Sequence, residues 1–164
     1  MNDFKLGDKK INDNSKVYII AEAGSNHNGD IDTALKLVDI AVEAGADCVK
    51  FQSVTFETLT SDFKNEQLKK NIEKITLDKN WYKKLSEYCN KQNIDFMSTP
   101  TYERAVDELD EIDVIGYKIA SMDLTNIPFL RYVASKGRPI ILSRGMSTIS
   151  EIDIALKTIQ EKGN

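Results

Sequence analysis

The chain is 164 residues long, enough for one domain and too few for two large ones. It is 41% hydrophobic and 29% charged with 8 glycines and 3 prolines, a globular composition that excludes a collagen-like, disordered or disulfide-framed chain. The 22 basic and 26 acidic residues leave a net charge of -4, so no global cationic field draws in nucleic acid or anionic lipid. Anion binding has to come from a few local lysines or backbone amides. Cys48 and Cys89 have neither zinc-motif nor CxxC spacing and are expected to be free, buried thiols. The start, MNDFKLGDKK, has no hydrophobic signal core, and no apolar run approaches the roughly 20 residues that cross a bilayer. A cytoplasmic protein is expected, with no membrane or nucleic-acid partner.

In chain order, the first sixteen residues include FKLGDKKI, which suggests a short hairpin or arm. VYIIA (17–21) then reads as a buried strand. Ile31, Ala34, Leu35, Val38 and Val42 recur at helical spacing over 31–43, with Asp30 or Asp32 serving the first turn. CVKF (48–51) is the second strand. Residues 53–79 are polar, carry FKNEQLKKNIEK, and are expected to project near the binding face as a long insertion, either a loop or a small extra helix. Trp81, Leu85, Tyr88 and Cys89 mark a helix over 80–90, followed by IDFMS (94–98) and a helix over 103–109. VIGYKIA (114–120) precedes a helix over 127–135 with Pro128 in its first turn, and PIILS (139–143) precedes one over 150–161 that Ser150 can cap. Gly45, Gly137 and Gly163 each follow a helical stretch, where a left-handed residue is expected.

Strand and helix alternate throughout, which implies an α/β fold with a parallel sheet and right-handed crossovers. Periodicity alone favours an open doubly wound sheet, complete with five strands. The alternative is a TIM barrel of eight βα units and about 250 residues, of which five units are present here.

The motifs reverse that preference. AEAGSNHNG (21–29), VKFQS (49–53), MSTPT (97–101), YKIASMD (117–123) and LSRGMS (142–147) all fall where a strand ends, as an active site on the C-terminal face of a barrel requires. Lys50 and Lys118 lie inside apolar runs, where an ammonium needs a carboxylate or an anionic ligand. The competing reading for each is a snorkelling stem or an ion pair with Glu22. Ser98, Thr99, Ser121 and Ser143 are hydroxyl donors at the same rim, suited to phosphate oxygens, although such residues also end strands for purely local reasons. Glu22 is a general base or stabiliser if a cation keeps it ionised, or otherwise a counter-ion for Lys50 or Lys118. His27, the chain's one histidine, sits among the turn formers Asn26, Asn28 and Gly29 and cannot build a metal site unaided. No GxGxxG, Walker A, HExxH or CxxC motif is present.

AEAGSNHNG with the helix over 31–43, then AGADCVKFQ, FMSTP, YKIAS and SKGRPIILSRGM, resembles the N-terminal part of the sialic acid synthase family over roughly residues 16–162. These are the phosphoenolpyruvate-dependent N-acetylneuraminate synthases and their pseudaminic and legionaminic acid relatives. The resemblance implies the first five units of a TIM barrel, with the later barrel units and a small antifreeze-like domain absent. It further implies condensation of phosphoenolpyruvate with an N-acetylated hexose such as N-acetylmannosamine, assisted by Mn2+ or Mg2+ acting as a Lewis acid. Matched position by position, Lys50, Thr99, Lys118, Ser121 and Ser143 bind phosphoenolpyruvate, and Glu22 acts on the intermediate at C2. Asn26 and His27 match a loop pair whose role is left open. Asp123 stands where many members carry Glu, shorter by one methylene. Arg144 stands where members carry Thr or Ser, and it either adds a phosphate contact or marks a subfamily with another sugar. The family's two metal-binding histidines have no counterpart, so no metal ligand is expected in this chain. The 164 residues alone are expected to be inactive, and the full-length form to be a homodimer. Two other readings stay open: a non-catalytic phosphoenolpyruvate-binding module, and a barrel aldolase forming a Schiff base on Lys118.

Overall fold

A computed structural model of the chain describes residues 4–163; Met1 to Asp3 and Asn164 lie outside the described residues. The chain opens with an antiparallel hairpin of β1 (Phe4–Leu6) and β2 (Lys9–Ile11). Five strands then run parallel in one sheet: β3 (Ile20–Gly24), β4 (Cys48–Ser53), β5 (Asp95–Pro100), β6 (Tyr117–Ile119) and β7 (Ile140–Leu142). Their order in the sheet is their order in the chain. With right-handed crossovers, such an order stacks every helix on the same side and leaves the other side free to face inward. A doubly wound sheet would instead reverse its order at a switch point. The fold is α/β, a five-stranded part of a barrel wall.

The outer layer is α1 (Ile31–Glu43), α4 (Lys79–Lys91), α5 (Glu103–Glu111), α6 (Ile127–Ala134) and α7 (Ile149–Gln160). Between β4 and α4 the insertion folds into two short helices, α2 (Phe56–Leu59) and α3 (Glu66–Glu73). Helix starts follow side-chain chemistry. Asp30 accepts the Asp32 and Thr33 amides at 3.2 and 3.1 Å, a cap of about 1 kcal/mol. At α7 the cap is Thr148, in a reciprocal box with Glu151, while Ser150 lies inside the first turn. The expected cap was displaced because Thr148 has a Glu three residues later and Ser150 does not.

The first strand also begins later than its apolar run. Val17 and Ile19 are 82% and 52% exposed, and β3 starts only at Ile20. The Asp47 carboxylate takes the Ile19 amide at 2.7 Å, and the Tyr18 hydroxyl donates to Asp95 at 2.5 Å, so this stretch is tied to carboxylates at the starts of β4 and β5 before pairing begins.

Alternation along the strands sorts the core into two clusters. Ala21, Ala23, Val49, Phe51, Phe96, Tyr117, Ile119, Ile140 and Leu142 face the helices. Ile20, Cys48, Met97 and Ile141 face inward and meet Phe4, Leu6 and Ile11 of the hairpin. The hairpin therefore plugs the N-terminal end of the sheet with apolar side chains. Both thiols are free and fully buried, and burial pushes Cys89 up to about 12 and Cys48 higher still. Among the described residues no helix is long and apolar enough to cross a membrane.

Candidate active site

Above the apolar inward layer, the same period of two makes the next inward positions polar. Ile20, Cys48, Met97 and Ile141 point in, so Glu22, Lys50, Thr99 and Ser143 point in one step further along, and Lys118, in register with Ile141, points in beside it. β4 and β3 pair Lys50 with Glu22 in register.

Lys50 is 7% exposed, and its Nζ is ion-paired with a Glu22 oxygen and donates to Thr99 Oγ1 at 3.4 Å. The Glu22 side chain is 50% exposed, so the pair opens on the site rather than being sealed inside. Lys118 Nζ donates to Ser143 Oγ and to the Ile119 carbonyl, the latter at 2.9 Å, both neutral acceptors. Burial pulls the Lys118 pKa below its ordinary value, the Lys50 charge pulls it further, and Glu22 partly offsets both. The two ammonium groups thus share one field on one face. Among the described residues they have one half-exposed carboxylate between them, a charge deficit that a small anion can fill.

The loop after β3 supplies the mouth. A Cβ on Gly24 would lie 3.5 Å from Glu22 Oε1 and 3.9 Å from both Asn26 Nδ2 and Gln52 Nε2. Gly24 has φ +58°, a left-handed conformation that suits glycine and turns the chain tightly over the strand end. Asn26 donates to the Ala23 carbonyl at 3.0 Å, and Ser25 donates to Gln52 Oε1 at 3.4 Å. Gln52 was not singled out from the sequence, yet the signal was there: a strand that turns Lys50 inward also turns Gln52 inward.

On the other side, Ser121 and Asp123 occupy a single 3-10 turn leaving β6. Gly145, in the loop after β7, stands against Ser121, its Cβ position 3.8 Å from the serine hydroxyl. Asp123 Oδ2 is buried without a hydrogen-bond partner, and burial raises the pKa of this carboxyl. Arg144 is exposed in the same loop.

Two rim residues lie elsewhere. Ser98 is fully buried on the helix side, its hydroxyl 2.7 Å from Ser53 Oγ. Thr99, the next residue, carries the inward position, so a one-residue step separates a site hydroxyl from a structural one. His27 is fully buried between Phe51 and Trp81, also on the helix side and away from the lysines.

Among the described residues no three His, Cys, Asp or Glu side chains gather into a group able to hold a metal ion. Glu22 is engaged by Lys50, and the one histidine faces the helix layer. These residues do not fit the divalent cation that the resemblance implies.

The model of the NeuB family matches residues 37–164. The N,N'-diacetyllegionaminic acid synthase of Campylobacter jejuni is 39% identical over 160 residues, 90% of this chain and 48% of that protein. The spore coat polysaccharide biosynthesis protein SpsE of Bacillus subtilis is 34% identical over 98% of this chain and 46% of its own length. Among solved structures, the N-acetylneuraminic acid (sialic acid) synthetase of Leptospira borgpetersenii superposes with a TM-score of 0.92 at 37% identity, covering 99% of this chain and 56% of that one. A 3-deoxy-D-arabino-heptulosonate 7-phosphate synthase of Thermotoga maritima, at 18% identity and a TM-score of 0.73, shares the fold. The chain spans about half the length of the curated relatives it matches. Sequence similarity over most of the chain and the same wall of parallel strands agree: the chain belongs to the NeuB family, whose relatives here include a legionaminic acid synthase and a sialic acid synthetase.

Proposed function

We propose that this chain forms the phosphoenolpyruvate-binding part of a synthase that condenses phosphoenolpyruvate with an N-acylated hexose aldehyde. The observation that carries the reading is the pair Lys50 and Lys118, turned to one inward face with hydroxyl partners and, among the described residues, one half-exposed counter-ion. Phosphoenolpyruvate carries a phosphate and a carboxylate on a three-carbon frame, and two ammonium groups with flanking hydroxyls match that charge and donor pattern. Thr99, Ser121 and Ser143 supply the neutral donors. Burial and the Lys50 charge depress the Lys118 pKa, and an arriving anion raises it again by offsetting them.

In the condensation, C3 of phosphoenolpyruvate forms the new bond to the aldehyde carbon, whose oxygen takes a proton. Water adds at C2, and the tetrahedral intermediate expels inorganic phosphate to leave a 2-keto acid. Glu22, at the rim and ion-paired with Lys50, stabilises positive charge at C2 or takes the proton of the adding water. Asp123, with its raised pKa, is suited to holding a proton near the accepting sugar.

Calorimetric titration of phosphoenolpyruvate into the 164-residue chain tests the binding. One site per chain is expected, weakened by added salt, with inorganic phosphate binding less tightly because it engages only part of the donor set. No binding at millimolar phosphoenolpyruvate, or equal affinity for phosphate, contradicts the reading. A second reading, imine formation on Lys118, is favoured by the depressed pKa of that amine. Borohydride with pyruvate separates the two: a covalent adduct on Lys118 supports the imine, and an unmodified chain supports the synthase.

A further inference from the structure

Among the described residues the one charged partner of Lys50 is the chain's own Glu22, through Oε2, while Thr99 Oγ1 stands at 3.4 Å. The two partners differ in freedom, since Lys50 is buried and the Glu22 side chain is half exposed. The sheet itself loosens at Glu22. From the Glu22–Lys50 pair to the Gly24–Phe51 pair the ladder advances two residues along β3 and one along β4, a bulge that ends regular pairing beside this carboxylate. Past the bulge, Gly24 has no side chain, and three polar atoms surround the place where a Cβ would stand. They are Glu22 Oε1 at 3.5 Å, and Asn26 Nδ2 and Gln52 Nε2 each at 3.9 Å. Gln52 pairs in register with Thr99. Its Oε1 takes the Ser25 hydroxyl at 3.4 Å, and among the described residues its Nε2 donors meet no acceptor.

We propose that Glu22 is a resident anion on Lys50, displaced by the anionic ligand and received by the side-chain amide of Gln52, which makes Gln52 a positioning residue. An arriving phosphate or carboxylate carries the same sign of charge as Glu22, and sharing one ammonium would hold the two anions at close range. Glu22 is the partner that can give way, because its side chain is half exposed and Lys50 is packed in the wall. Swinging on its own stem, the carboxylate keeps Oε1 on the Gly24 side and takes up the Nε2–H donors of Gln52. The bare Gly24 leaves that side open, where a methyl would lie against Oε1. The Ser25 hydroxyl holds the amide by its oxygen, which leaves the nitrogen end for Glu22. The resident pair lowers the apparent affinity for the ligand, since binding requires the fraction of molecules in which Lys50 is released. The identity of the ligand rests on the phosphoenolpyruvate reading; the exchange of partners holds for any small anion at Lys50.

Calorimetry and side-chain amide NMR of the whole chain test the exchange, with phosphoenolpyruvate and inorganic phosphate as probes. Glu22→Gln is expected to bind both anions about ten-fold more tightly than the wild type, because the competing carboxylate is gone. Gln52→Leu is expected to weaken phosphoenolpyruvate binding about five-fold in the wild-type background and by less than about two-fold in the Glu22→Gln background. A purely structural Gln52 would cost the same in both. In the wild type, the Gln52 Nε2 protons are expected to shift downfield as either anion is added, the mark of a gained carboxylate acceptor. In Glu22→Gln, which also binds, they are expected to stay. Equal or weaker anion binding by Glu22→Gln, equal losses from Gln52→Leu in the two backgrounds, or a Gln52 amide that does not move in the wild type overturns the exchange. The wild-type spectrum decides even if a variant does not fold. If phosphate shows the pattern and phosphoenolpyruvate does not bind, the exchange stands and the phosphoenolpyruvate reading falls. If phosphoenolpyruvate binds and the pattern is missing, the reverse holds, and if neither anion binds, both fall.

Discussion

Replacing Lys50 by methionine is expected to weaken phosphoenolpyruvate binding by about 100-fold or more, because charge-assisted hydrogen bonds contribute about 1.5–3 kcal/mol each and every 1.4 kcal/mol is a decade in affinity. The loss is expected to be specific to binding. Methionine keeps most of the stem length and packs well in a site that buries the lysine almost completely. The partner left behind, Glu22, is half exposed and returns to water instead of remaining as a stranded buried charge. Urea unfolding at neutral pH should therefore show a midpoint unchanged or slightly raised.

The same variant carries a pH signature through Lys118. The pKa of that amine is depressed in the fold by burial and by Lys50. A depressed pKa gives stability that is present above the unfolded value near 10.4 and lost as pH falls through the folded value, so in the wild type Lys118 makes stability rise with pH toward the alkaline side. Removing Lys50 removes one cause of the depression. Stability measured at pH 7 and at pH 9.5 should differ less in Lys50→Met than in the wild type. A wider difference contradicts the shared field.

The second large effect concerns the framework. Gly116→Ala is expected to destabilise the fold by about 2–3 kcal/mol, at the upper end for an added methyl in a packed site. A Cβ there would sit 2.7 Å from the Pro139 carbonyl oxygen, 3.3 Å from Pro139 Cβ and 3.2 Å from Leu6 Cδ1. The side chain of Leu6 can give way. The carbonyl cannot, since it accepts the Tyr117 amide at 2.8 Å, a bond that begins the pairing of β6 with β7. Relief requires moving the strand that carries Lys118 against the one that leads to Ser143, so ligand affinity should fall together with the urea midpoint. Gly145→Ala is the control: its nearest neighbour is Ser121 at 3.8 Å, an ordinary contact, and its stability should match the wild type. Equal midpoints for the two variants would show that β6 and β7 tolerate the displacement.

Much of the architecture was legible because strand and helix differ in period and both were present in clean form. The helix over 31–43 and the strands at CVKF and IDFMS were found within a few residues, and CVKF runs on to Ser53. Apolar content alone misplaced the first strand, since Val17 and Ile19 are apolar but the Asp47 carboxylate holds the Ile19 amide and Asp95 holds the Tyr18 hydroxyl. Residue type likewise misplaced Ser98, which differs from Thr99 only in parity, and parity becomes visible once a neighbouring inward residue such as Met97 is known. His27 read as a turn residue and does lie in one, but its burial depends on Trp81 and the insertion, which are distant in the chain. The order of the strands is a tertiary fact that alternation cannot supply, and it separates the barrel wall from the doubly wound sheet that periodicity favoured.

The central claim is that Lys50 and Lys118 grip one anion together. Lysine side-chain resonances of the wild-type chain, followed by NMR during a phosphoenolpyruvate titration, test it without any substitution. Both signals are expected to shift along a single binding curve, with the Lys118 pKa rising as the site fills. Movement of only one of the two, or two curves with different midpoints, would contradict a shared site.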